Sequence, residues 1–153
     1  MLEVGKKIPK FSLRNQDDKV YTDKDLLGKR KVIYFYPKDN TPGCTKEACE
    51  FTDSIQNFDN LGVAVYGVSP DSVAKHKGFE TKYNLKMTLL ADVEKEFSKA
   101  CGVFREKSMY GKLFMGLVRT TLIVDENNKV LHVFNNVKVT GHVAKVLETL
   151  KSL

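Results

Sequence analysis

Hydrophobic residues fall along this chain in two alternating patterns: short unbroken apolar runs, and longer stretches in which apolar positions recur every three or four residues. Runs of β-branched and aromatic residues, as at 31–36, are typical of strands buried on both faces of a sheet. The longer stretches predict amphipathic helices. The predicted elements, in chain order, are an N-terminal hairpin within 10–21, strand 32–36, helix 43–59, strand 63–68, helix 71–83, a short strand near 89–90, helix 93–100, strand 118–124, strand 129–134 and helix 140–151.

This order of elements predicts the fold class. Because helices are distributed between the strands, we expect an α/β fold with a central sheet and helices on both faces. The chain has 153 residues, of which 42% are hydrophobic, which is enough for one well-packed domain and too few for two of ordinary size. A single domain over 1–153 is therefore expected.

The residues that follow strand 32–36 place a thiol at the start of a helix. Pro37 ends the strand, Thr41 is a suitable N-cap, and Pro42 fits the first helical position, so Cys44 falls in the first turn. Unpaired backbone N–H groups and the positive end of the helix dipole favour the thiolate, which is the nucleophilic form of cysteine. The pattern predicts a reactive cysteine.

The spacing of apolar residues predicts which way this thiol faces. Three apolar residues follow Cys44 at positions i+4, i+7 and i+11, the spacing of one face of a helix. They are Ala48, Phe51 and Ile55. Cys44 therefore shares the core-facing stripe of its own helix. We expect the thiol at the bottom of a pocket.

A second thiol, Cys49, follows on the same helix. It lies five residues after Cys44, roughly 140° around the helix and about 7.5 Å along its axis, so the two Cα atoms are roughly 8 to 9 Å apart. A disulfide spans at most about 7 Å between Cα atoms. If these two cysteines bond, the first turns of the helix have to unwind.

The motif around Cys44 resembles that of a known family. Pro37, Thr41 and Cys44 match the P-x-x-x-T/S-x-x-C signature of the peroxiredoxins, and the longer run 36–49 is similar to the bacterioferritin comigratory protein, or peroxiredoxin Q, subfamily. The resemblance covers the chain from about Ile8 onward. It continues in Gly102-Val103-Phe104, in Glu106-Lys107 and around Arg119 in 118–125.

This resemblance implies a fold, an activity and roles for particular residues. The fold would be thioredoxin-like, with a mixed sheet, and the activity would be reduction of hydroperoxides by a thiol. Cys44 would be the peroxidatic cysteine, which becomes a sulfenic acid. Cys49 would be the resolving cysteine, closing a disulfide that thioredoxin or a similar dithiol reduces.

The resemblance also implies which groups surround the thiolate. Thr41 and Arg119 would complete the catalytic set, Thr41 through its hydroxyl and Arg119 through its permanent charge. Backbone N–H groups of Gly43 and Cys44 would hold the peroxide oxygens. The residues expected to form the substrate pocket are Pro37, Pro42 and Gly43. No cofactor is implied.

Each assignment has a structural alternative. Buried cysteines are often inert, so Cys49 has an alternative as a core residue, and Arg119 has one as an edge residue facing water. Thr41 has an alternative as an ordinary N-cap. Cys101 lacks the turn and the cap that mark Cys44, so we interpret it as structural, with a resolving role as the second option.

The segment 102–116 mixes aromatic residues with charges and glycines. We expect a long loop whose aromatic side chains wall the pocket. An ordinary packed surface loop is the alternative.

Composition limits the partners and the compartment. Three cysteines form no secreted disulfide framework, no apolar signal region begins the chain, and no apolar run is long enough to span a membrane, so a cytoplasmic protein without membrane contact is expected. The net charge of +6 comes from lysines spread among acidic residues, which indicates a solvated surface rather than nucleic-acid binding. The three histidines lack metal-ligand spacing, so no metal is expected. The resemblance favours a monomer, with a dimer as the alternative.

Two other functions compete with a peroxidase. A disulfide oxidoreductase of the thioredoxin type normally has a C-x-x-C pair and a proline before the strand at 118–124, whereas this chain has C-x₄-C and Val118-Arg119-Thr120. A non-enzymatic redox sensor or holdase also needs a reactive thiol. Sustained peroxide consumption with a thiol donor separates an enzyme from such a sensor.

Overall fold

The computed structural model describes all residues from 1 to 153. Nine strands are present: β1 (Ser12–Asn15), β2 (Val20–Thr22), β3 (Arg30–Phe35), β4 (Val63–Ser69), β5 (Thr88–Ala91), β6 (Phe104–Met109), β7 (Lys112–Leu117), β8 (Thr120–Val124) and β9 (Val130–Phe134). Five α-helices lie between and after them: α1 (Pro42–Asp53), α2 (Ile55–Asn60), α3 (Val73–Tyr83), α4 (Glu96–Ala100) and α5 (His142–Ser152). A short 3₁₀ helix occupies Asp23–Leu26.

Seven of the strands form one mixed sheet in the order β2-β1-β5-β4-β3-β8-β9. The central strands β3, β4 and β5 run parallel, whereas β1 and β8 pair antiparallel with β5 and β3. The β1–β2 pair is the predicted N-terminal hairpin. The predicted α/β class and mixed sheet are confirmed.

The sheet separates two hydrophobic cores. Alternate residues of β3 point to opposite faces, with Val32 and Tyr34 in one core and Ile33 and Phe35 in the other. Helices α1, α2, α3 and α5 contribute to the first core, and α4 with the N-terminal segment contributes to the second. None of the helices has the length and apolar content needed to cross a membrane.

The predicted helix 43–59 is wrong as one element, because the chain forms two helices there. The break falls at Ser54, whose backbone N–H is shared between the carbonyl oxygens of Glu50 and Phe51, both at 3.2 Å. Asp53 and Ser54 are short polar residues that compete with helical hydrogen bonding. The apolar stripe crosses this break without interruption, which is why periodicity did not reveal it.

The predicted loop 102–116 is also wrong, because β6 and β7 form an antiparallel hairpin outside the main sheet. Its two-residue turn has positive φ at both Tyr110 (53°) and Gly111 (75°), as a tight hairpin requires. Tyrosine is an unusual residue at such a position, so the turn was not recognised. The aromatic side chains do not enclose a pocket: Tyr110 is 98% exposed and Phe114 is 41% exposed.

Other boundaries differ from the prediction by a few residues, and two of these differences have a clear structural consequence. Helix 93–100 begins only at Glu96, because Lys95 adopts a left-handed conformation with φ of 63°. Strand 118–124 begins at Thr120, so Arg119 precedes the strand rather than lying within it. Because Arg119 lies before β8, the alternation of side chains along a strand does not fix the direction of its side chain.

Candidate active site

Cys44 is the third residue of α1 and is 1% exposed. Thr41 is the N-cap residue and Pro42 occupies the first helical position, so this part of the local prediction is confirmed. The Thr41 hydroxyl makes no capping bond and donates instead to the carbonyl oxygen of Lys38 at 2.8 Å. Cys44 therefore lies in the first turn of a helix, where the backbone N–H groups have no intrahelical acceptor and can bind a ligand.

Arg119 reaches Cys44 from the residue that precedes β8, the strand paired with β3. Thr120, the first residue of β8, pairs with Phe35 at the end of β3, which places Arg119 beside the turn that leads into α1. The backbone carbonyl of Arg119 accepts a hydrogen bond from Val137 at 2.8 Å. Its Nη2 atom donates to Sγ of Cys44 at 3.2 Å.

The other arm of the guanidinium binds a buried carboxylate. Nη1 of Arg119 donates to Oε1 of Glu47 at 2.5 Å. The Glu47 side chain is 0% exposed and that of Arg119 is 15% exposed. Arg119 therefore bridges Glu47 and Cys44, two residues on the same face of α1.

Burial acts unequally on the two partners of this ion pair. Burial raises the pKa of Glu47 to about 7, although the charge of Arg119 and its hydrogen bond favour the carboxylate. For Arg119, burial lowers the pKa, but Glu47 and Cys44 together hold it above its usual value. The carboxylate, which is fully enclosed and has no partner for Oε2, bears most of the desolvation cost.

A histidine completes the surroundings of Glu47. Nε2 of His142 lies 4.0 Å from Oε2 of Glu47 and 2.8 Å from the hydroxyl of Thr121. Burial, with the nearby charges of Arg119 and Lys145, lowers the pKa of His142 to about 4. The ring is therefore neutral at pH 7, and its Nε2 atom is hydrogen-bonded to the Thr121 hydroxyl.

Gly43 permits the approach of Arg119 to the helix. A Cβ atom on residue 43 would lie 3.3 Å from Nη2 of Arg119, closer than most Cβ contacts in proteins. A side chain here would press on the nitrogen that donates to Cys44. The absence of a side chain at Gly43 thus serves the arginine rather than a turn.

A cleft of about 490 Å³ opens beside the guanidinium. Its walls include Arg119, Pro37 and polar residues of β6, among them Arg105 and Lys107. Of the residues predicted to form a pocket, Pro37 therefore lines the cleft, whereas Pro42 and Gly43 lie at the start of α1. Pro42 is exposed there.

The remaining cysteines lie in different environments. Cys49 is on α1, partly buried, and its pKa is raised by burial and by the neighbouring Asp53. Cys101 is fully buried in the core on the opposite face of the sheet from Cys44. Burial raises the pKa of Cys101 to about 12, with a contribution from Asp92, so this thiol stays protonated at neutral pH. All three cysteines are free thiols.

One further group of side chains has the residue types of a metal site. Ligand atoms of Asp39, Asp71 and His76 lie within 4.8 Å of one another. However, these side chains are hydrogen-bonded to one another or to neighbouring groups, namely Tyr36, Ser69, the backbone N–H of Asp39 and the carbonyl oxygen of Leu90. The cluster is organised as a hydrogen-bonded network.

Sequence reasoning missed Glu47 and His142. Glu47 lies three residues after Cys44, and positions three apart share a helix face, so this acidic residue on a core-facing stripe was detectable. His142 gave no such signal, because it reaches the site only through the packing of α5 against α1. The set assembled by the structure is thus Cys44, Arg119, Glu47 and His142.

The raised pKa of Glu47 predicts a dependence of stability on pH. Between pH 4.5 and about 7 the folded chain retains a proton on Glu47 that the unfolded chain has released, so raising the pH through this window destabilises the fold. Below this window both states hold the proton and the penalty vanishes. Relative to Glu47→Gln, the wild type should therefore lose roughly 1 to 3 kcal/mol of unfolding free energy from pH 5 to pH 8.

Urea unfolding of the reduced proteins at several pH values measures this difference. Other titrating groups, His142 included, are present in both proteins and their direct contributions cancel to first order. Parallel stability curves for wild type and Glu47→Gln would contradict the prediction.

Comparison with known proteins supplies the family. Residues 4–133 match the model of the AhpC/TSA family. The chain is 45% identical over 149 residues to a putative peroxiredoxin bcp of Coxiella burnetii, covering 97% of this chain and 99% of the relative. It is 42% identical over 152 residues to peroxiredoxin Bcp of Bacillus subtilis, covering 99% and 97%.

A solved structure gives the same result for the fold. The crystal structure of a PrxQ mutant from Xylella fastidiosa superposes with a TM-score of 0.93 at 32% identity, covering 99% of this chain and 97% of that one. The thioredoxin-like fold and the resemblance to the Bcp and peroxiredoxin Q proteins are confirmed. The chain belongs to the AhpC/TSA family, in its Bcp and peroxiredoxin Q branch, and is a thiol-dependent peroxidase that acts on hydroperoxides.

Proposed function

We propose that Cys44 is the peroxidatic cysteine of this peroxidase and that Arg119 activates it. The observation that carries the proposal is the hydrogen bond from Nη2 of Arg119 to Sγ of Cys44, 3.2 Å long and largely shielded from water. A fixed positive charge at this distance stabilises the thiolate and also the charge that develops on the peroxide during attack. Arg119 suits this role because its guanidinium stays charged.

The peroxide would enter from the cleft lined by Pro37 and Arg119. The thiolate attacks one peroxide oxygen, a sulfur–oxygen bond forms, the oxygen–oxygen bond breaks, and the leaving oxygen takes up a proton as water or alcohol. Cys44 is thereby oxidised to the sulfenic acid. Donors for the two peroxide oxygens would be Arg119, the N–H groups of Gly43 and Cys44, and the Thr41 hydroxyl once its bond to the Lys38 carbonyl breaks. Pro42, at the exposed start of α1, would shield the thiolate from water.

Cys49 would then resolve the sulfenic acid. Its thiol displaces water from the Cys44 sulfenic acid and forms a disulfide, which a dithiol reduces back to two thiols. Both cysteines lie on one unbroken helix, α1, so the first turns of this helix have to unwind for the sulfur atoms to meet. Cys101 is disfavoured as the resolving residue because the sheet separates it from Cys44 and because it is fully buried.

Disulfide mapping tests these roles. After one equivalent of hydrogen peroxide, peptide mass spectrometry of the reduced wild type should show a Cys44–Cys49 bridge, which is absent in Cys44→Ser. Cys49→Ser should consume one equivalent of peroxide and leave Cys44 as sulfenic acid, with catalytic turnover reduced on the order of 100-fold or more with a dithiol donor.

Cys101→Ser is the matched control and should retain the 44–49 bridge and normal turnover. A bridge between Cys44 and Cys101 in the wild type would reassign the resolving role. Cys49 would then be a structural residue.

We also propose the setting in which this chemistry occurs. Thioredoxin or a similar dithiol protein would be the reductant, in the cytoplasm, with no nucleic acid, membrane or cofactor involved. Residues 1–153 would act as one domain, since both cores pack on the same seven-stranded sheet. We propose a monomer, which size-exclusion chromatography with light scattering distinguishes from a dimer.

A further inference from the structure

A buried polar network lies behind the turn that precedes Cys44. Asp39, in this turn, accepts a hydrogen bond on Oδ1 from the hydroxyl of Tyr36 at 2.7 Å, and its Oδ2 lies 2.7 Å from Nδ1 of His76 on α3. The side chains of His76 and Asp39 are 0% and 2% exposed. Neither residue hydrogen-bonds to Cys44 or Arg119, and the proposed chemistry does not use them.

The backbone of the same turn is attached to the protein at a second point. The N–H of Asp39 donates to Oδ2 of Asp71 at 2.8 Å, and this oxygen also accepts the hydroxyl of Ser69 at 2.9 Å. Asp71 lies just after β4 and before α3. The turn is thus held by its side chain and its main chain, both through the region where β4 leads into α3.

Both ring nitrogens of His76 have a hydrogen-bond partner. Nδ1 of His76 faces the carboxylate, and Nε2 lies 3.1 Å from the carbonyl oxygen of Leu90. A carbonyl oxygen only accepts, so Nε2 carries the N–H of that bond, and Nδ1 is the nitrogen that faces the carboxyl group. A buried hydrogen bond between an imidazole and a carboxyl group is among the stronger single contacts in a protein.

The position of this pair relates it to the reaction. Asp39 lies five residues before Cys44, in the turn that leads directly into the part of α1 that has to unwind. We propose that the Asp39–His76 pair is a latch, which holds the active-site turn closed for peroxide reduction and has to release for the Cys44–Cys49 disulfide to form. This inference rests on the proposed roles of Cys44 and Cys49, and it makes His76 a positioning residue on a different helix from the thiol.

Replacing His76 by leucine should open the latch while leaving the catalytic groups in place. In the reduced protein, amide exchange of Thr45 and Lys46 in α1 should accelerate about tenfold to a hundredfold, beyond any change in α5. The rate constant for reaction with peroxide should fall by about tenfold or more, because the turn that leads to Thr41 and to the first N–H groups of α1 is no longer held in position. The rate of Cys44–Cys49 disulfide formation from the sulfenic acid should not fall in this variant. It should rise if unwinding of α1 is the rate-limiting step in the wild type.

Three further variants separate a latch from a general loss of stability. Asp39→Asn preserves both hydrogen bonds without charge, since the amide accepts from Tyr36 and donates to Nδ1 of His76, and should stay within about threefold of wild type in peroxide reactivity. Tyr36→Phe removes one bond with little change of shape and should act like His76→Leu but more weakly. Ser98→Ala removes a buried 2.6 Å bond to Asp92 on the far side of the sheet and should leave all three rates unchanged.

Either of two results overturns the latch. Equal amide exchange in α1 for wild type, His76→Leu and Tyr36→Phe would show that the pair does not hold the helix start. Opening without loss of peroxide reactivity would show that closure does not position the thiol. Amide exchange is measured without catalytic turnover. If disulfide mapping shows that Cys44 is not the peroxidatic cysteine, the proposed function fails, but the exchange data still test whether the Asp39–His76 pair holds the start of α1.

Discussion

Replacing Cys44 by serine is expected to lower the rate of peroxide consumption on the order of 10⁴-fold or more, the range seen when a catalytic nucleophile is removed. The hydroxyl of serine is far less ionised than a thiol at neutral pH and does not form a sulfenic acid. Serine is close to cysteine in size, so the fold should persist. Stopped-flow measurement of hydrogen peroxide loss, with circular dichroism of the same samples, gives both results.

Cys101→Ser is the control for this substitution, because it changes a buried thiol in the other core. It should retain peroxide reactivity within about threefold, at the cost of some stability. Reactivity that survives in Cys44→Ser and disappears in Cys101→Ser would reverse the assignment of the nucleophile.

Replacing Arg119 by methionine is expected to lower the rate constant for peroxide by about 100- to 1000-fold, the usual effect of losing one donor to developing negative charge. Methionine preserves much of the apolar length of the side chain but removes both arms of the fork. Arg119→Lys should lose less, about 10- to 100-fold, since one ammonium does not bond Glu47 and Cys44 in the same geometry. The measurement is the second-order rate constant for a single oxidation of the reduced protein.

Loss of Arg119 also leaves the buried carboxylate of Glu47 without its partner, which would destabilise the site for a second reason. Without Arg119 this carboxyl group has to take up a proton or stay buried and charged, and the double variant Arg119→Met with Glu47→Gln replaces it by a neutral amide. Stability should recover in the double variant, whereas the peroxide rate constant should stay low. Recovery of both would mean that Arg119 acts through packing around Glu47 and not on the thiol.

Local sequence signals placed Cys44 at the start of α1 because they all fall within one short stretch, from the strand at 32–36 to Pro42. A buried strand, a proline, a good N-cap and a proline at the first helical position all act on the same short segment, and these neighbours dictate its backbone. The prediction failed where the local pattern was ambiguous. The apolar stripe of α1 continues past Ser54, and Tyr110 is not a residue that indicates a hairpin turn.

The sequence by itself determined the thiol at the start of α1, the alternation of strands and helices, and the separation of Cys44 from Cys49 along the helix. Only the tertiary structure decided what surrounds the thiol. Arg119 is 75 residues from Cys44, and the two meet because β8 pairs with β3 in a register that sets Thr120 opposite Phe35. His76 likewise reaches Asp39 across 37 residues through the packing of α3. Such contacts depend on the pairing of strands and the packing of helices over the whole fold, which no short stretch of sequence specifies.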